Sequence, residues 1–191
     1  GWNRDFDRLT QNTRIAGVDF LNGAYTFDSF DASIFTDPGR RLAVNAAYTR
    51  GDFYDAKRQT IRSTVTWKPS YRARFALETI YNRLERQNPN NGSSYFNETL
   101  IPRLRMNFSL STDVFINTNF QMNTDRGTPG DTWHLRTIVS NFLLAYTMQQ
   151  GHTFLVAYNA LADDNFDLKG HRRMRPASQT VVAKFSYLLN L

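Results

Sequence analysis

The chain contains no cysteine, so disulfides and thiolate metal sites are excluded and its redox compartment is not readable from composition. It also lacks any apolar run near the roughly 18 residues of a transmembrane helix, and its mean hydropathy is −0.51. That second absence leaves the membrane open as a location. A barrel strand crosses with only about 9–11 tilted residues, half of which are polar. No initiator Met and no signal peptide precede Gly1-Trp2-Asn3-Arg4, so export would require a leader removed or lying upstream. The net charge of +6 raises nucleic acid as a partner, but the basic residues are scattered, with no basic helix or binding motif, and we expect none.

What is abundant is alternation. Val114, Ile116, Thr118, Phe120 and Met122 interleave with Asn117, Asn119, Gln121 and Asn123. A period of two means strand, because successive side chains point to opposite faces. The pattern predicts strands at 23–36, 41–52, 57–67, 71–84, 97–110, 113–123, 134–148, 152–162 and 178–191, and a stub at 1–8 makes ten. Turn-forming clusters at Asp37-Pro38-Gly39-Arg40, Lys68-Pro69-Ser70, Ser111-Thr112-Asp113 and Gln149-Gln150-Gly151 predict short connections. Between them lie longer ones at 9–22, 51–57, 85–96, 124–133 and 163–177. Strict long–short alternation in a meander puts all long loops at one end. Outer-membrane barrels sort their loops this way. The expected fold is an all-β, antiparallel up-and-down transmembrane β-barrel, a single region over 1–191 and the C-terminal part of a larger barrel. Its long loops would be extracellular and its C-terminus periplasmic.

Parity then assigns faces. A lipid-facing set would hold Leu42, Val44, Ala46 and Tyr48, then Phe75, Leu77 and Tyr81, then Leu104, Met106 and Phe108, then Phe142 and Leu144. Mid-strand charges take the other parity, since an Arg in lipid at the midplane costs about 2–4 kcal/mol. The expected lumen therefore carries a basic row, Arg62, Arg74, Arg103, Arg105 and Lys184, and two acids, Asp31 and Glu78. If open, such a lumen prefers anions. In strand 23–36, Tyr25 and Phe27 disagree in parity with Phe30, Ala32 and Ile34, which predicts a β-bulge near Asp28-Ser29. The 14% aromatic content suits interfacial girdles, here Trp67, Tyr71, Tyr146, Phe154 and Tyr187.

Several segments, in order, carry a family likeness: Asp5-Phe6-Asp7-Arg8-Leu9, Gly23-Ala24-Tyr25-Thr26-Phe27, Gly51-Asp52-Phe53-Tyr54-Asp55 and Thr66-Trp67-Lys68-Pro69-Ser70. Arg103-Leu104-Arg105-Met106-Asn107-Phe108, Phe154-Leu155-Val156-Ala157-Tyr158-Asn159 and Lys184-Phe185-Ser186-Tyr187-Leu188 follow. Together they resemble the C-terminal outer-membrane β-barrel region of a bacterial family of unknown function. Its members carry an N-terminal domain similar to family-nine carbohydrate-binding modules. The resemblance implies a Gram-negative outer-membrane location, missing upstream strands and carbohydrate-related substrates. It also implies engagement of the barrel-assembly machinery by the last strand. This chain departs from the usual terminal Phe with Leu191.

Little points to catalysis. The three histidines are His134, His152 and His171, and no Ser stands in a Gly-x-Ser-x-Gly motif, so no enzyme and no cofactor are expected. Asp163, Asp164 and Asp167 match no calcium-loop spacing and run into a basic stretch, so no metal is expected. Within that stretch Lys169, Arg172, Arg173 and Arg175 are candidate contacts for lipopolysaccharide phosphates. The expected function is a porin-like or gated conduit. The competing expectation is a structural anchor or partner subunit with a blocked lumen, paired with further strands or subunits.

Overall fold

A computed structural model describes residues 1–15, 18–87, 94–127, 131–149, 152–166 and 172–187. Its strands are β1 (Trp2–Leu9), β2 (Thr13–Ile15), β3 (Val18–Phe20), β4 (Gly23–Phe35), β5 (Leu42–Phe53) and β6 (Ala56–Ser70). They continue with β7 (Ala73–Gln87), β8 (Ser94–Ser109), β9 (Val114–Arg126), β10 (His134–Gln149), β11 (His152–Phe166) and β12 (Arg172–Ser186). Ten of them form one antiparallel sheet in the order β1-β4-β5-β6-β7-β8-β9-β10-β11-β12, while β2 and β3 pair as a separate small hairpin. Every consecutive pair in the sheet is antiparallel, which makes an up-and-down meander. The sheet is open, with β1 and β12 as its edges.

The register carries each face across many strands, because directly opposed residues share a face. One row runs Phe35, Asn45, Thr64, Glu78, Arg103, Gln121, Val139, Leu161, Ser178. The opposite face has rows such as Tyr48, Ile61, Tyr81, Leu100 and Phe142, Tyr158, Val181. We call these the polar and the apolar face. Large side chains of the apolar face are exposed, among them Leu42, Ile61, Val65, Trp67, Leu77, Phe120, Phe142 and Phe185.

Three expectations are corrected. First, 51–57 is not a long loop. β5 and β6 run on until Phe53 faces Ala56, and only Tyr54-Asp55 turns the chain. Tyr54 takes φ 57°, the left-handed conformation such turns demand, although side-chain-bearing residues rarely adopt it. The strict length alternation therefore fails, since the 36–41 connection at the opposite end is longer. Second, Lys68-Pro69-Ser70 is not the turn. It belongs to β6, with a register shift between Trp67 and Ser70 where Pro69 has no N–H to give, and Tyr71-Arg72 turns instead. Third, β4 has no bulge at Asp28-Ser29. Its register with β1 and with β5 is unbroken, so Tyr25 and Phe27 lie on the polar face.

A small core explains that third result. On the polar face at the 54–55 end, Phe20 of the β2–β3 hairpin is fully buried against Ala56 and Leu84, with Leu9, Phe53 and Tyr54 packed around it. Tyr25 and Phe27 extend the cluster as edge-on partners of Tyr54. The β2–β3 hairpin thus folds over the sheet, and the aromatics that β4 turns to the polar face are its seat. Gly51 lets β4 approach closely there: a Cβ would stand 2.4 Å from the Asp28 carbonyl oxygen.

Candidate functional site

The polar face between β4 and β9 gathers most of the named candidates. Glu78 on β7 stands opposite Arg103 on β8, with Thr64 on its other side. Both Arg103 (3.4 Å) and Arg105 reach the Glu78 carboxylate, and the Arg103 Nε donates to Gln121 Oε1 at 2.8 Å. One acid thus serves two guanidinium groups, so the cluster keeps a net positive charge. Arg62, Arg74 and Lys184 share this face and form no ion pair among the described residues. Lys184 lies apart on β12, opposite Leu155.

Asp31 belongs to a second group. Its carboxylate accepts from Thr49 Oγ1 (2.5 Å) and Asn3 Nδ2 (2.6 Å). The row continues through Thr60, which donates to Asn82 Oδ1 at 3.0 Å, and Asn82, which reaches Thr99 at 3.4 Å. Asn3, Asp31, Thr49, Thr60 and Asn82 border a cleft of about 340 Å³ that also takes in Asp5, Arg58 and Arg62. Acids, amides, hydroxyls and two guanidinium groups lie side by side, which suits a hydrated, polyhydroxylated or anionic solute and offers no nucleophile–base pair.

A row of asparagines, Asn119, Asn141 and Asn159, crosses β9 to β11 beside Arg105. The Asn119 Oδ1 is buried without a hydrogen bond. Beyond this row the face loses polarity: Leu143, Ala145 and Leu155 occupy it in β10 and β11.

At the 71–72 end, Trp67 stacks on Phe75 (5.3 Å), and Tyr146, Phe154 and Phe185 stand in one row of the apolar face. Tyr71 lies in the turn, 90% exposed, and Tyr187 packs edge-on against His152 at 4.2 Å. At the other end His134 faces Asp125 in the ladder, while His171 and Lys169 lie outside the described residues, as does the side chain of Arg172. Arg173 and Arg175 stand opposite Asn165 and Asp163, which puts them on the polar face.

One cluster escaped the sequence reading. Glu98, 1% exposed, accepts from the Tyr81 hydroxyl at 2.6 Å and is bound by Arg126, with Arg83 at 3.9 Å. All four residues have the parity of the apolar face, so charges do occur there, confined to the 54–55 end. Their signal in the sequence is ionisable residues at the apolar parity, just after the apolar positions of β7 and just before those of β8. Comparison with protein-family models, with curated proteins and with solved structures returns no match.

Proposed function

We propose that this sheet is wall of an outer-membrane β-barrel whose polar face lines a porin-like conduit. The observation that carries the reading is the broad apolar face of the ten-stranded sheet, with large exposed side chains from Trp2 to Phe185 and, among the described residues, no protein layer against it. Soluble monomers rarely expose more than a few hundred Å² of contiguous apolar surface. Among the described residues no helix is long and apolar enough to cross a membrane, which says nothing of strands. The end bearing 54–55 and the Phe20 hairpin would be extracellular and the 71–72 end periplasmic. Sugars or sugar-linked solutes remain the substrate class suggested by the family likeness, and the polar cleft beside Asp31 is chemically suited to them.

A second reading keeps the barrel and blocks it. Glu78 offsets part of the charge of Arg103 and Arg105, and the Phe20 hairpin covers part of the polar face. The protein would then be an anchor or partner subunit. Conductance of the full-length protein in a planar bilayer separates the two. The conduit predicts discrete steps with a modest anion preference. Glu78→Gln should strengthen that preference, and Arg103→Glu with Arg105→Glu should reverse it. Silence at every voltage would leave the anchor, and failure to insert into liposomes would remove both.

A further inference from the structure

We propose that the apolar face carries, at its 54–55 end, a binding site for the phosphate groups of a phosphorylated lipid, centred on Arg50 and Arg83. The site rests on the membrane reading above. Its frame is a single row of directly opposed residues, Arg50, Gln59, Arg83, Glu98 and Arg126, running across β5 to β9. Two residues along each strand, about 7 Å away, comes the row Tyr48, Ile61, Tyr81 and Leu100. A lipid whose phosphate meets the first row lays its acyl chains over the second. A soluble phosphate would have no use for that adjacency.

A depression of about 250 Å³ at this level is bordered by Arg50, Lys57, Arg58, Gln59, Arg83 and Glu85. Arg58 turns its guanidinium over the Phe53 ring, so Arg50, Lys57 and Arg83 supply the positive charge on this side. Lys57 is held by Asp52, and Arg83 bonds Glu85 at 3.0 Å while lying over the Phe96 ring. The Arg50 side chain has no hydrogen bond or ion pair among the described residues. Arg50 and Arg83 stand two strands apart, about 10 Å, within the joint reach of their side chains. Arg126 flanks them, stacked on Trp133 at 4.8 Å, with buried Glu98 beneath it. Guanidinium groups already held against rings lose little freedom on binding, and their planar forks match phosphate oxygens.

The test uses the full-length protein extracted in detergent, incubated with bis-phosphorylated lipid A and weighed by native mass spectrometry. Arg50→Gln, which removes an unpaired charge and no packing, should weaken lipid A retention about tenfold. Arg41→Gln, in the 36–41 connection at the other end, should leave it unchanged. Dephosphorylated lipid A should be retained no better by the native protein than by Arg50→Gln, and excess inorganic phosphate should fail to displace lipid A. Equal retention by native protein and Arg50→Gln, in a protein that inserts into liposomes, overturns the site and leaves the barrel standing. Displacement by inorganic phosphate overturns the lipid as its source. Failure to insert removes both.

Discussion

Phe20 shows how one side chain decides the course of a thirteen-residue connection. It is the largest fully buried apolar side chain among the described residues, and the residues of the ten-stranded sheet packed around it lie on the polar face. Burial of a Phe contributes about 1.5–3 kcal/mol, enough to hold a three-residue-by-three-residue hairpin that could not stand alone. Phe20→Ala should cost about 3 kcal/mol locally, or about a hundredfold in opening of the hairpin, with the sheet intact. Limited trypsin cleavage within 10–22 reads this directly, and an unchanged cleavage rate would mean that the seat does not hold the loop. None of this was readable in advance, because the Phe20 contacts cross from one loop to four strands. Tyr25 and Phe27 did signal it, by breaking parity, but a bulge explained the break equally well. Glu98 was missed for a related reason: it is satisfied by Tyr81 and Arg126, whose distance in sequence hides their adjacency in the ladder.

At the scale of the strand, faces are the testable property. Val65 is on the apolar face and its neighbour Thr64 on the polar one, between Asn45 and Glu78. Val65→Arg should destabilise the protein in lipid by about 2–4 kcal/mol, while Thr64→Arg should cost under about 1 kcal/mol beside Glu78. Urea titration in liposomes measures both, and equal costs would show that lipid does not meet the Val65 face. Strand existence and facing were readable from period two, since β5 to β9 have one predominantly apolar parity over their middle turns. Strand ends were not. Tyr54-Asp55 is poor turn chemistry on its own, and its left-handed Tyr54 is tolerated only because Phe20, Tyr25, Phe27 and Phe53 pack its ring and Asp7 accepts its hydroxyl. That hydrogen bond, with burial and the nearby Asp7 charge, raises the Tyr54 phenol above its ordinary pKa. Pro69 misled in the opposite direction. It marks an irregular step inside β6 and not the reversal, which comes two residues later.

The whole sheet poses a problem of edges. β1 and β12 each present one unpaired side, and unpaired backbone groups are not tolerated in hydrocarbon. In a membrane these edges must be paired, with each other, with further strands or with another copy. Amide hydrogen exchange of the full-length protein in liposomes should therefore protect β12 as strongly as β7. Rapid exchange along β12 with β7 protected would show an open sheet and reject the barrel. The polar face is itself uneven in polarity. β4 to β9 carry Asp31, Arg62, Glu78, Arg103 and Asn119, while β10 and β11 turn Leu143, Ala145 and Leu155 the same way. A closed tube with that lining would not hold a round water column. Its water would lie as a crescent against one side, and a passing solute with one greasy flank and one hydroxylated flank would travel in a single orientation.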